Sequence, residues 1–168
     1  MILYITASTG KNLELANTLA DVGKELGGDH EVINLVDCEL PLYCVEEEKN
    51  GIPDQAKVLT QKLIEAEGFI LIAPEYNGSI PPIMTNAIAW ISRSGGEDWR
   101  AAFSEKIAAV ATHSGGGGIK VLAAMRSQLE HLGTTVVARQ ILTHYQKSLN
   151  PDSAKAVIGH LLKLANKS

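Results

Sequence analysis

Three short stretches carry the residues whose types and spacing suit chemistry. The first, "TASTGKN" (Thr6–Asn12), gathers Ser8, Thr9, Gly10, Lys11 and Asn12 immediately before a segment of helical period. Unpaired N–H groups at a helix start, the positive end of the helix dipole and a mobile ammonium group together favour an anion. The same residue types also serve as plain helix caps. The stretch is no Walker loop: Ile5 stands where the glycine five positions before Gly10 belongs, and Asn12 where Ser or Thr belongs. The second, "PEYNGSIPP" (Pro74–Pro82), holds more fixed backbone than a turn requires, because Pro, Asn and Gly each restrict or release particular dihedrals. The third, "THSGGGG" (Thr112–Gly118), either lets a flat ligand approach bare backbone or is a flexible turn. It is not a dinucleotide fingerprint, since Gly115 and Gly117 fit the first two positions but the third is Lys120 and no carboxylate lies about twenty residues on. Ser79 and Ser114 lack the upstream glycine of a nucleophile elbow. No nucleophile–base pair stands out. Glu75 reads as a residue that orients its loop or faces solvent, Tyr76 as packing, and His113 and His144 as structural histidines.

The elements that must position these loops alternate in type. Apolar β-branched runs predict strands at Ile2–Ile5, His30–Leu35, Gly68–Ala73, Lys106–Thr112 and Thr134–Ala138. Helical spacing predicts helices over Asn12–Leu26, Asp54–Glu67, Pro82–Arg93 and Ile119–Leu132, and a last one capped by Asn150 with Pro151 in its first turn. The polar segment Cys38–Pro53 is expected to be a loop. Strands alternating with helices imply a doubly wound parallel sheet, with right-handed crossovers and helices on both faces. Five such strands suit the order 2-1-3-4-5, whose ligands bind beyond the carboxyl ends of the strands. All three stretches then emerge at one sheet edge, after strands one, three and four.

The chain's 168 residues suit one domain over 1–168 with a full core. A net charge of −4 with no basic stripe argues against nucleic acid and anionic membranes as partners. No apolar run reaches a membrane span and Met1 leads into no signal segment, so a cytoplasmic protein is expected. Cys38 and Cys44 lack zinc-ligand spacing, and no metal is expected.

The second stretch resembles the NADPH-dependent FMN reductase family, whose loop runs roughly P-E-Y-N-x-S-x-P into a helix carrying "NA" and "SR". Pro74, Glu75, Tyr76, Asn77, Ser79, Pro81, Asn86, Ala87, Ser92 and Arg93 match in order. "NLELA" (Asn12–Ala16), "SGGGG" (Ser114–Gly118) and the Met125-Arg126 pair extend the resemblance along most of the chain. Two departures stand out. "ASTGKN" is shorter than the family's G-S-x-R-x-x-S-x-N and nearer to a flavodoxin phosphate loop, with a lysine that lacks arginine's bidentate fork. Thr85 and Ala89 stand where the family often has Lys and Asp.

The resemblance implies a flavodoxin-like fold and FMN. Its phosphate would lie at Ser8, Thr9, Gly10, Lys11 and Asn12. Its ring would lie between Pro74, Glu75, Tyr76, Asn77, Gly78 and Ser79 on one side and Ser114, Gly115, Gly116 and Gly117 on the other. The implied activity is ping-pong oxidation of NADPH or NADH, with electrons passed to a small-molecule acceptor: a flavin, quinone, azo compound or metal ion. No catalytic side chain is needed when the cofactor carries the chemistry. A homodimer or homotetramer is implied too, with Trp90 and Ile91 either at its interface or in the core. The alternatives are a flavodoxin-like FMN electron carrier that does not oxidise NAD(P)H, and a scaffold that has lost its cofactor. The short phosphate loop favours the carrier, whereas the PEYN loop and an aromatic content of 5% speak against it.

Overall fold

The computed structural model describes residues 1–166. Strand β1 (Ile2–Thr6) leads to α1 (Lys11–Glu25), β2 (His30–Asn34), the short α2 (Val45–Glu48), α3 (Asp54–Glu65) and β3 (Gly68–Ile72). Then follow α4 (Pro82–Ser94), β4 (Ile107–His113), α5 (Ile119–His131), β5 (Thr135–Val136), β6 (Ile141–Thr143) and α6 (Pro151–Ala165). Every residue of β1 and β3 is buried, as it must be for strands in the middle of a sheet covered on both faces. The parallel order is β2-β1-β3-β4-β5, as the alternation of elements implied. Ile5 lies opposite Ile33 on one side and Leu71 on the other.

Period-2 alternation splits the core into two layers. Ile2, Tyr4, Ile70 and Ile72 pack on Leu15 and Leu19 of α1 and on Val157, Ile158 and Leu161 of α6. Leu3, Ile5, Phe69, Leu71 and Val110 face Leu63 of α3, Met84 and Ile88 of α4, and Met125 and Leu129 of α5. Trp90 and Ile91 are core residues, with Trp90 fully buried and its indole Nε1 donating to the Pro41 carbonyl at 2.7 Å. Asn86 works beside it. Its Oδ1 accepts from the Tyr43 N–H at 2.8 Å and its Nδ2 donates to the Pro41 carbonyl at 3.0 Å, so the "NA" asparagine straps the segment before α2 onto α4.

Two expectations need correction. The segment Cys38–Pro53 is not all loop, because Val45–Glu48 forms a single helical turn started by Cys44 Sγ, which accepts from the Glu47 N–H. A 3₁₀ turn over Leu35–Cys38, capped by Asn34, comes just before it. The fifth strand is not continuous over Thr134–Ala138. It pairs with β4 at Thr135–Val136, leaves the sheet, and pairs again as β6 opposite Ala111–His113. Arg126 of α5 explains the detour: its guanidinium donates to the carbonyls of Val137 and Ala138 and to Gln140 Oε1, satisfying acceptors the ladder has given up.

Gly23 of α1 packs on the sheet with no room for a side chain. A Cβ there would lie 2.3 Å from the Tyr4 hydroxyl and 2.5 Å from the His30 ring, which hydrogen-bond each other at 3.1 Å. Gly23→Ala should therefore lower stability. Overpacking of about 1–3 kcal/mol exceeds the ~1 kcal/mol that alanine gains over glycine in a helix. A thermal melt checks this, and an unchanged or raised Tm would contradict it.

Candidate functional site

At the carboxyl edge of the sheet, the loops after β1, β3 and β4 meet around a cleft of about 340 Å3. It is lined by Ser8, Thr9, Gly10, Lys11 and Asn12 from the first loop, Pro74, Glu75 and Tyr76 from the second, and Ser114 and Gly115 from the third. Asn77 lies just beyond, with Tyr76, Ile80 and Pro82 around an adjoining hollow of about 660 Å3. Gly78, Ser79, Gly116 and Gly117 belong to the same loops but do not line the cleft itself. Two lining residues, His113 and Tyr145, were not among the sequence candidates. Tyr145 sits on the turn after β6, an element too short for its period to show.

The first loop leaves its donors free. Gly10 is the N-cap of α1 and provides no side-chain cap. No backbone N–H from Ser8 to Asn12 has a hydrogen-bond partner among the described residues. An uncapped helix start with unpaired donors suits an anion far better than it suits nothing. Below it the buried Thr6 hydroxyl, on the same sheet face as Ile2 and Tyr4, is also unpartnered. Lys11 is already engaged: its Nζ lies 2.7 Å from Glu14 Oε2, and that hydrogen bond raises the lysine pKa. Asn12, 3% exposed, has its side chain turned away from any ligand role. Its Nδ2 donates to the His113 carbonyl at 2.9 Å and its Oδ1 accepts from the His113 N–H at 2.8 Å. This amide pair fixes the first loop against the end of β4, so what Asn12 offers an anion is its backbone N–H.

The second loop is a rigid tight turn. Tyr76 and Ser79 exchange backbone hydrogen bonds at 3.1 and 2.9 Å around Asn77 (φ 51°) and Gly78 (φ 75°). Positive φ at both central residues is the type I′ turn that Asn-Gly favours. The turn is anchored by Glu75, whose Oε2 accepts from the N–H groups of Lys120 and Val121 at 3.2 and 3.3 Å. Glu75 thus caps α5 from another loop, which explains a carboxylate beside the turn without any acid–base role. It also means that two donors at the start of α5 are taken. The N–H groups of Gly115 and Gly117 remain without protein partners among the described residues.

The third loop is fixed at its base. Thr112 Oγ1 donates to the Ala73 carbonyl at 2.7 Å, and the Ser114 N–H to the Thr143 carbonyl at 3.1 Å. Gly118 (φ 70°) lies where a Cβ would come within 2.7 Å of Thr112 Cγ2, so the chain passes over β4 only without a side chain there.

These features fit FMN: a donor-rich helix start for its phosphate, and backbone donors beside a rigid turn for its ring. Exposed Tyr76 and Tyr145 stand at the rim. The chemistry of such a site lies in the bound group, and the described residues hold no cluster able to bind a metal ion.

Comparison with known proteins bears on the family and the fold. The chain is 36% identical over 56 residues to a quinone reductase of Escherichia coli K12, covering 33% of this chain and 30% of that one. It is 28% identical over 138 residues to an NADPH azoreductase of Bacillus sp. (strain OY1-2), covering 79% and 73%. The match spans only 30% to 38% of the length of several curated relatives. Among solved structures, the flavoenzyme NAD(P)H:(acceptor) oxidoreductase FerB of Paracoccus denitrificans superposes with a TM-score of 0.75 at 24% identity, over 98% of this chain and 94% of its own, a likeness of fold. The family model for NADPH-dependent FMN reductase matches residues 1–147, which span all three loops and every strand of the sheet. The chain belongs to the NADPH-dependent FMN reductase family.

Proposed function

We propose that this chain is an FMN-dependent oxidoreductase that oxidises NADPH or NADH and passes the electrons to a small quinone or azo acceptor. The observation that carries the reading is the uncapped start of α1, facing a cleft that two further rigid loops complete. Quinone and azo acceptors are suggested by the names of the relatives. Bound FMN would supply the two-electron chemistry between donor and acceptor.

The residues have separate tasks in this reading. Ser8, Thr9, Gly10, Lys11 and Asn12 hold the phosphate, five backbone donors and one ammonium against a dianion. The Tyr76–Ser79 turn and the glycines of the third loop present backbone to the ring edge. Glu75 and Asn12 position these loops from behind and touch neither donor nor acceptor. Chemistry carried by the cofactor asks for no side chain of the cleft as nucleophile or general base.

A cytoplasmic location, a single domain over 1–168 and assembly as a homodimer or homotetramer belong to the same proposal. Leu42 and Val45, 79% and 60% exposed, give an apolar patch on the segment strapped to α4, a surface a second copy would cover. The fluorescent flavin released on denaturation identifies the cofactor. Adding FMN to apoprotein at a hundredfold excess over Kd should stabilise the fold by about 2.7 kcal/mol. Initial-rate lines should be parallel, because one open flavin face serves donor and acceptor in turn. Intersecting lines, or apoprotein whose Tm ignores FMN, would defeat the proposal.

A further inference from the structure

His113 closes β4 and carries an unpaired nitrogen that the three-loop reading does not use. The Thr143 hydroxyl has one proton and two polar neighbours: the Thr112 carbonyl at 3.1 Å and His113 Nδ1 at 3.0 Å. A carbonyl only accepts, so the hydroxyl proton goes to Thr112 and the hydroxyl oxygen must accept from Nδ1–H. In the neutral ring that leaves Nε2 as a bare acceptor. Nε2 is buried and has no hydrogen-bond partner among the described residues. The ring is held in place from both ends, its backbone by Asn12 and its Nδ1 by Thr143. A buried acceptor left empty is costly, and a fixed one invites a donor.

The position of the ring says which donor. His113 lines the cleft between the phosphate loop and the glycine loop, and also the groove of about 330 Å3 behind it, where Lys11, Thr143 and Tyr145 are neighbours. Tyr145 stands against the imidazole, edge-to-face with centroids 5.3 Å apart. Its ring is 80% exposed and its hydroxyl has no hydrogen-bond partner among the described residues, so an entering ligand can turn it aside. An acceptor beside the proposed phosphate site matches a hydroxyl carried next to a phosphate, which is the chemistry of a sugar-alcohol phosphate chain.

We propose that His113 Nε2 accepts a hydrogen bond from a ribityl hydroxyl of FMN, making His113 a cofactor-positioning residue held as the Nδ1–H tautomer by Thr143. This rests on the FMN reading above.

The test compares three flavins on the apoprotein by fluorescence titration: FMN, riboflavin, which keeps the ribityl chain but lacks phosphate, and lumiflavin, which lacks both. His113→Leu should weaken FMN and riboflavin by the same factor, about three- to tenfold for one neutral hydrogen bond, and leave lumiflavin unchanged. His113→Gln, whose amide oxygen can reach the same place, should recover most of that loss. If leucine weakens all three flavins equally, the effect is one of loop shape and the inference fails. If it weakens FMN alone, the contact is to the phosphate and the inference fails. Loss on no flavin, or no recovery with glutamine, overturns it as well. Wild-type protein that binds none of the three overturns the FMN reading itself, an outcome separate from wild type that binds all three while the variants do not differ.

Discussion

Asn12→Ala should lower the stability of the apoprotein by about 2–6 kcal/mol. The His113 N–H and carbonyl both lose their partner, and each unpaired buried group costs about 1–3 kcal/mol. Asn12 is 3% exposed, so water can replace the lost amide only from the side of the cleft. Asn12→Asp separates this pairing from simple loss of packing. One carboxylate oxygen can still accept from the His113 N–H, but the other faces the His113 carbonyl, which also only accepts. Only the protonated acid restores both bonds, so the folded-state pKa of the new acid must rise above the unfolded value of about 3.9. A raised folded pKa gives stability that is present below the unfolded pKa and lost as pH climbs through the folded one. Asn12→Asp should thus approach wild type near pH 4 and fall behind it by pH 7. Urea midpoints at the two pH values measure this. A deficit that does not vary with pH, or an alanine variant within 0.5 kcal/mol of wild type, would mean the pair contributes little.

The same residue shows where reading the sequence reached its limit. Asn12 suits a phosphate loop by type and place, yet its side chain is spent on a partner 101 positions away. Glu75 is similar: its type allowed a base, but its role comes from α5, which is distant in sequence. What was legible rested on local chemistry. The alternation of strands and helices implied the sheet order, Pro82 and Pro151 the helix starts, and Asn150 its cap, accepting from Ser153 at 2.9 Å. What was not legible depends on long-range hydrogen bonds or on very short elements. A two-residue and a three-residue strand carry no period, and in the gap between them Arg126 takes the carbonyls of Val137 and Ala138. Tyr145 escaped notice for the same reason, since nothing nearby in sequence marks the turn after β6 as a wall of the cleft.

Lys11→Glu should weaken FMN about 10- to 100-fold at low salt while leaving riboflavin almost unaffected. In the free protein the Lys11 ammonium is paired with Glu14, three residues along α1. An incoming phosphate must therefore compete with Glu14 or share the lysine with it. Reversing the charge at position 11 removes a charge-assisted contact and puts two carboxylates beside a dianion, where the helix start had favoured negative charge. Both side chains are more than half exposed, so salt should reduce the loss markedly. The fold should persist, because a glutamate in the first helical turn suits the dipole. Glu14→Gln provides the opposite sign: it frees Lys11 for the phosphate and should tighten FMN by a few-fold, again without changing riboflavin. The two variants together locate the phosphate more firmly than either alone, since a nonspecific disturbance of α1 would weaken binding in both. Equal effects on FMN and riboflavin, or a Glu14→Gln variant that binds FMN more weakly than wild type, would place the phosphate away from the start of α1.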